Sequence, residues 1–126
     1  MANKRIFVAF AMEDVDTKIL FTGQAKNNRV PYDFVDMSVK EPWDSQWKTN
    51  CRAKIKGCDG AFVLISENLE NASGALWEID CIKEEKVALR GIYIKQGTFL
   101  NKPANLNGTI CKEWTWANVK EFIESL

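Results

Sequence analysis

The 126-residue chain has no histidine. That removes Ser-His-Asp and Cys-His catalysis together with every His-ligated metal site. Any acid–base or charge chemistry falls to carboxylates, or otherwise to Lys, Tyr or Cys. Net charge is missing as well, because 17 Lys and Arg are balanced by 17 Asp and Glu. Without a basic excess or stripe, no nucleic-acid partner is expected. No apolar run approaches the roughly 20 residues that span a bilayer, so no membrane partner is expected either. Met1-Ala2-Asn3-Lys4-Arg5 leads into only a short apolar run with no small-residue cleavage site, which reads as a cytoplasmic start rather than a signal peptide. The four cysteines, Cys51, Cys58, Cys81 and Cys111, contain no C-x-x-C pair. They are expected to be reduced, structural and unbridged. Gly-rich phosphate loops are absent too. After the first apolar run the chain reads Ala11-Met12-Glu13-Asp14, with neither G-x-G-x-x-G nor G-x-x-x-x-G-K-[ST], and without the Ser/Thr-rich loop of a flavodoxin.

What the chain does contain is alternation. Ile6 to Phe10 is a continuous apolar run, as for a strand buried on both faces. Asp14 or Asp16 can cap a helix reaching about Asn27, with Val15, Ile19 and Leu20 on its inner face. Val30-Pro31 breaks the chain, and Tyr32 to Asp36 reads as a polar-alternating edge strand. An exposed loop runs from Met37 to Trp43. Asp44 or Ser45 then starts a helix with Trp47, Cys51, Ile55 and Cys58 on one face, ended by Gly57 and Gly60. Ala61 to Ile65 is the second continuous apolar strand, finishing on Ser66. Ser73 is expected to cap a helix from about Gly74 to Glu85. Val87 to Ile94 reads as a fourth strand interrupted by Arg90-Gly91, and a loop from Lys95 leads to a short fifth strand near Thr109 to Cys111. Thr115 caps a last helix whose apolar face is Trp116, Val119, Phe122, Ile123 and Leu126.

Strands and helices that alternate over short connections imply a parallel α/β sheet with right-handed crossovers. The expected architecture is one domain over 1–126, flavodoxin-like and doubly wound, with five strands in the order 2-1-3-4-5 and helices on both faces. Sites in such folds lie at the carboxyl ends of the strands. This selects Phe10 to Glu13, Asp36 to Trp43, Ser66 to Glu78 and the loop from Lys95. The third strand ends in Ser66, so the phosphorylatable Asp of a receiver domain is missing. Glu78 falls in the first turns of the third helix. The helix dipole favours an ionised acid there by about 0.3–1 kcal/mol, so an anionic Glu78 is expected near neutrality, and its replacement should cost the fold no more than that.

Several segments together resemble a TIR-like domain of the divergent branch that includes the ThsB proteins of bacterial Thoeris antiphage defence. They are Arg5-Ile6-Phe7-Val8-Ala9-Phe10, Tyr32-Asp33-Phe34, Glu41-Pro42-Trp43-Asp44, Ile55 through Cys58, Ala61 through Ser66, Ser73 through Trp77-Glu78-Ile79, and a closing Trp114 or Trp116. The resemblance spans nearly the whole chain. It implies that Glu78 matches the acid with which many TIR domains cleave NAD at the nicotinamide–ribose bond, as glycohydrolase or cyclase, to give a nucleotide signal. NAD would be the substrate, and neither a resident cofactor nor a metal is implied. Candidate substrate-binding residues around Glu78 are Phe10 and Ala11 at the first strand end, Asp36 at the second, Trp43, Ser66, Asn68 and Ser73. Self-assembly through the loop from Val39 to Trp43 is implied too, as a homo-oligomer or TIR–TIR complex. Two alternatives stay open: a TIR-like signalling and assembly module without turnover, and a flavodoxin-like nucleotide-binding domain related to nucleoside deoxyribosyltransferases.

Overall fold

A computed structural model of the chain describes residues 4–27, 32–37, 40–94 and 97–126. The expectations placed on residues 1–3, Val30-Pro31, Val39 and Lys95 lie outside these. Five parallel strands, β1 (Lys4–Ala9), β2 (Tyr32–Val35), β3 (Gly60–Ile65), β4 (Ala88–Tyr93) and β5 (Cys111–Glu113), form one sheet in the order β2-β1-β3-β4-β5. The helices are α1 (Val15–Asn27), α2 (Ser45–Lys56), α3 (Ser73–Glu84) and α4 (Trp116–Glu124). No helix among the described residues is long and apolar enough to cross a membrane.

The two continuous apolar runs lie side by side at the centre, with Ile6 opposite Gly60 and Ala9 opposite Val63. Every residue from Ile6 to Phe10 and from Ala61 to Ile65 is fully buried. Strand pleating divides them between two cores. Phe7, Ala9, Ala61, Val63 and Ile65 face α2 and α3, where they meet Trp47, Cys51, Ile55, Ile79 and Ile82. Ile6, Val8, Phe10, Phe62 and Leu64 face the other way, toward Phe21 of α1 and Val119, Phe122 and Ile123 of α4. The polar-alternating β2 is an edge strand, as its pattern predicts.

The boundaries show where local pattern misleads. In α1 the inward residues are Thr17 and Phe21, four apart on one stripe, whereas Val15, Ile19 and Leu20 are 36%, 55% and 67% exposed. A short 3-10 turn over Met12–Asp14 precedes the helix, and Phe21 packs on Phe34, Phe62 and Trp114. Asp44 caps α2 as expected, accepting from the backbone amides of Gln46 and Trp47 at 2.7 and 3.1 Å. Cys58 lies beyond that helix and is half-buried, yet packs against the same core as Trp47, Cys51 and Ile55. Ser73 is the first residue of α3 rather than its cap; the capping position is Ala72, which provides no side-chain bond. β4 runs unbroken through Arg90-Gly91. The Arg90 guanidinium lies 4.9 Å from the Phe122 ring and pairs at 2.7 Å with Glu121, so a buried arginine has its charge met by an exposed carboxylate. At Gly91 a Cβ would fall 2.5 Å from the Cys111 sulfur, so glycine is what lets β5 approach. β5 itself sits two residues later than its apolar pattern indicates. All four cysteines are free thiols.

Candidate active site

The carboxyl ends of β1, β2 and β3 bring the candidate residues together in two groups. The first is built around Phe10, which leaves β1 fully buried. The Lys40 ammonium lies 4.1 Å from the centre of its ring and the Lys18 ammonium 5.4 Å from it. Each cation is tied to a carboxylate. Lys18 meets Asp36, just past β2, at 3.0 Å. Lys40 bonds to both oxygens of Glu78, at 2.9 and 2.8 Å. Three candidates, Phe10, Asp36 and Glu78, thus belong to one assembly in which charges of opposite sign alternate around an aromatic ring.

Glu78 sits on the sixth residue of α3, on the side that faces the sheet, and is completely buried. The Cys51 sulfur of α2 lies 3.9 Å from one of its oxygens. Burial pushes the carboxyl up to about 7, while the Lys40 charge and hydrogen bonds pull it down; Asp36 adds a smaller upward push. The expectation of an acid held anionic by the helix dipole is therefore corrected, because desolvation outweighs a dipole effect of about 1 kcal/mol. Glu78 and Lys40 are both enclosed, so replacing either one leaves the other without its partner.

The second group joins the turn after β1 to the loop after β3. The Asp14 carboxylate, fully buried, accepts hydrogen bonds from the Ser66 hydroxyl and from the Asn68 side-chain amide, the latter at 3.0 Å. The Ser66 oxygen in turn accepts from the Asn68 backbone N–H at 3.0 Å. Ser66 is fully enclosed, and Ala11, next to Phe10, is 1% exposed. Both support the floor of the site and reach no solvent.

Above these groups opens a cleft of about 280 Å³, walled by Met12, Glu13, Pro42 and Trp43 on one side and by Asn71 to Ala75 on the other, with Lys40 among its lining. Trp43 is 76% exposed and Ser73 is exposed, so both are available to a ligand. The loop expected to be exposed from Met37 to Trp43 is buried at Lys40, which is 7% exposed. Lys40 carries no local signal of this role, and by its pattern Asp14 reads only as a helix cap. Lys40 lies 38 residues from Glu78 in the chain, and no local pattern links them. Asp14 was within reach of the strand-end rule, one residue past the loop it selects.

No protein-family model matches the chain, and no curated protein matches it. Solved structures do. The chain is similar to the TIR domains of the Roq1 resistosome that directly recognizes the pathogen effector XopQ, at a TM-score of 0.52 and 14% identity over 72% of this chain. It spans 57% of the length of that chain. It is also similar to the RPS4–RRS1 TIR domain heterodimer, at 0.59 and 12% identity, over 97% of this chain and 95% of that one. A CMP N-glycosidase of Clostridium botulinum, BcmB, aligns at 0.49 and 17% identity over 97% of both chains. The fold is TIR-like.

Proposed function

We propose that the chain is an NAD-cleaving enzyme of the divergent TIR branch that includes Thoeris ThsB, producing a nucleotide signal in antiphage defence. The observation that carries this reading is Glu78: one carboxylate at the carboxyl edge of the sheet, beneath a cleft, ionising near neutrality. Cleavage breaks the bond between ribose C1′ and the nicotinamide nitrogen, and the electron pair leaves on that nitrogen. The pyridinium becomes neutral nicotinamide and needs no proton. Positive charge develops at C1′, where a nearby carboxylate in a water-poor site stabilises it. Water that adds to C1′ and loses a proton gives the hydrolysed product; attack by a nitrogen of the same molecule gives a cyclic one. A histidine-free site can do this chemistry. In this reading Asp36 reaches ribose hydroxyls once Lys18 yields. Trp43 covers the base, Ser73 contacts phosphate, and the Asp14–Ser66–Asn68 cluster holds the floor on which Phe10 and Ala11 sit.

A second reading has its own observation. Glu78 is 0% exposed while Trp43 is 76% exposed, which suits a TIR-like module that assembles through the Trp43 loop without turnover. One of the similar structures is itself a TIR heterodimer.

The test is incubation of the purified chain with NAD over a range of protein concentrations, with products analysed by mass spectrometry. Glu78→Gln should lower the rate by about 100-fold or more. Because that change strands the Lys40 ammonium, Lys40→Met is compared with Lys40→Met/Glu78→Gln as well, each checked by thermal unfolding. Full activity in a folded Glu78→Gln protein ends the catalytic assignment. A folded wild type inactive at every concentration favours the assembly module.

A further inference from the structure

We propose that the Lys40 ammonium is a stand-in, supplied by the chain itself, for a cationic ring: it fills a cation site made by the Glu78 carboxylate and the face of Phe10, and a pyridinium ligand binds there by displacing it. This rests on the reading of Glu78 as the ligand-facing acid and names the feature by which that site selects its ligand.

Three features show that the lysine is built into this position. Its ammonium bonds to both oxygens of Glu78, at 2.9 and 2.8 Å. It also lies 4.1 Å from the Phe10 ring centre. A carboxylate beside an aromatic face is the chemistry that recognises organic cations. The third feature is Gly74. A Cβ at that position would lie 2.7 Å from the Lys40 Cβ, so bare helix backbone makes room for the lysine stem. Lys40, Gly74 and Ala75 all line the cleft, and Glu78 lies beyond them, fully enclosed. The lysine therefore separates the cleft from the carboxylate.

Exchange is favoured by the energetics of the pair. A buried ion pair gains little net free energy, because desolvation offsets attraction. The occupant is a flexible four-carbon chain that can carry its charge into the cleft. A cation entering in its place inherits both the carboxylate and the ring. A neutral ligand inherits neither advantage and leaves Glu78 without a counter-charge. The second ammonium near the ring, Lys18, is farther away at 5.4 Å and is held by Asp36.

The probe is 1-methylnicotinamide, a pyridinium that lacks ribose and phosphate, with neutral nicotinamide as control. Binding is measured calorimetrically at about pH 8.5, above the Glu78 titration. Lys40→Met should bind the cation about tenfold more tightly than wild type. Adding Glu78→Gln should abolish the gain, and nicotinamide should show none. Lys40→Gln, which keeps a polar group of similar length, serves if thermal unfolding shows Lys40→Met to be misfolded. Equal affinity in wild type and the folded Lys40 variants overturns the proposal, as does an equal gain for nicotinamide. The two readings fail separately. A cation gain without NAD cleavage supports the stand-in and removes the enzyme, whereas NAD cleavage abolished by Glu78→Gln, without the gain, does the reverse.

Discussion

The sheet is covered differently on its two faces. Toward α1 and α4 it meets rings: Phe21 packs on Phe62 at 5.3 Å, on Phe34 at 5.6 Å and on Trp114 at 5.8 Å, and Phe62 packs on Phe122 at 4.9 Å. Toward α2 and α3 it presents Phe7, Ala9, Ala61, Val63 and Ile65, and the covering helices add one ring pair, Trp47 on Trp77 at 5.4 Å, with the Cys51 and Cys81 thiols. The buried Glu78 sits on this side, with Lys40 reaching it across the end of β1. One face is thus sealed by shape and apolar area. The other encloses both members of an ion pair, where the first has Arg90 paired with an exposed Glu121, and it does so at a cost in desolvation that aliphatic packing would not incur. Both faces bury a core, and the second gives up some stability to hold a titratable pair.

Four changes sharpen that contrast, in falling order of effect. Phe62→Ala removes the ring shared by β3, α1 and α4 and should cost about 3–5 kcal/mol in denaturant unfolding; a loss below about 1 kcal/mol would mean that the aromatic cluster does not stabilise this face. Glu78→Gln should cost less than the about 3–5 kcal/mol of breaking a buried pair, because the amide oxygen still accepts from Lys40 and burial already opposes the charge on the carboxyl. The double change Lys40→Met/Glu78→Gln should recover part of that loss, since no charge then stays buried alone. Additive losses in that cycle would show that the two side chains do not interact.

The third effect is on pH dependence. Glu78 titrates at about 7 in the folded chain against an ordinary value of 4.5. Between those values the folded state keeps a proton that the unfolded state releases. Its contribution to stability is therefore complete below pH 4.5 and declines as pH rises through about 7. The melting temperature of the wild type should fall between mildly acidic and mildly alkaline buffer by more than that of Glu78→Gln, and parallel profiles would contradict the raised carboxyl. The smallest effect belongs to the exposed side of α1, where Leu20→Ala should change stability by no more than about 0.5 kcal/mol. A larger loss would restore Leu20 to the inner face that its pattern suggested.

That helix also shows how far local sequence reaches. In α1 two apolar stripes compete, and the rings of Phe34, Phe62 and Trp114, all distant in the chain, receive Phe21 while Leu20 stays outward. In α4 one apolar face exists without a rival, and Val119, Phe122 and Ile123 are buried as the spacing predicts. β4 is a subtler case. Arg90-Gly91 looks like an interruption until Phe122 and Glu121 are present to receive the guanidinium and β5 to need the glycine.

The amino-acid sequence by itself determined the architecture. Two fully apolar runs must lie at the centre of a parallel sheet, an alternating run at its edge, and candidate site residues at the strand ends, because burial and pleating admit few other arrangements. It also supplied Glu78 as the acid to examine. Only the tertiary structure decided the state of that acid. Its protonation depends on desolvation beneath the sheet edge and on a lysine 38 residues away. Both are long-range quantities, set by what packs around a side chain and not by its neighbours along the chain.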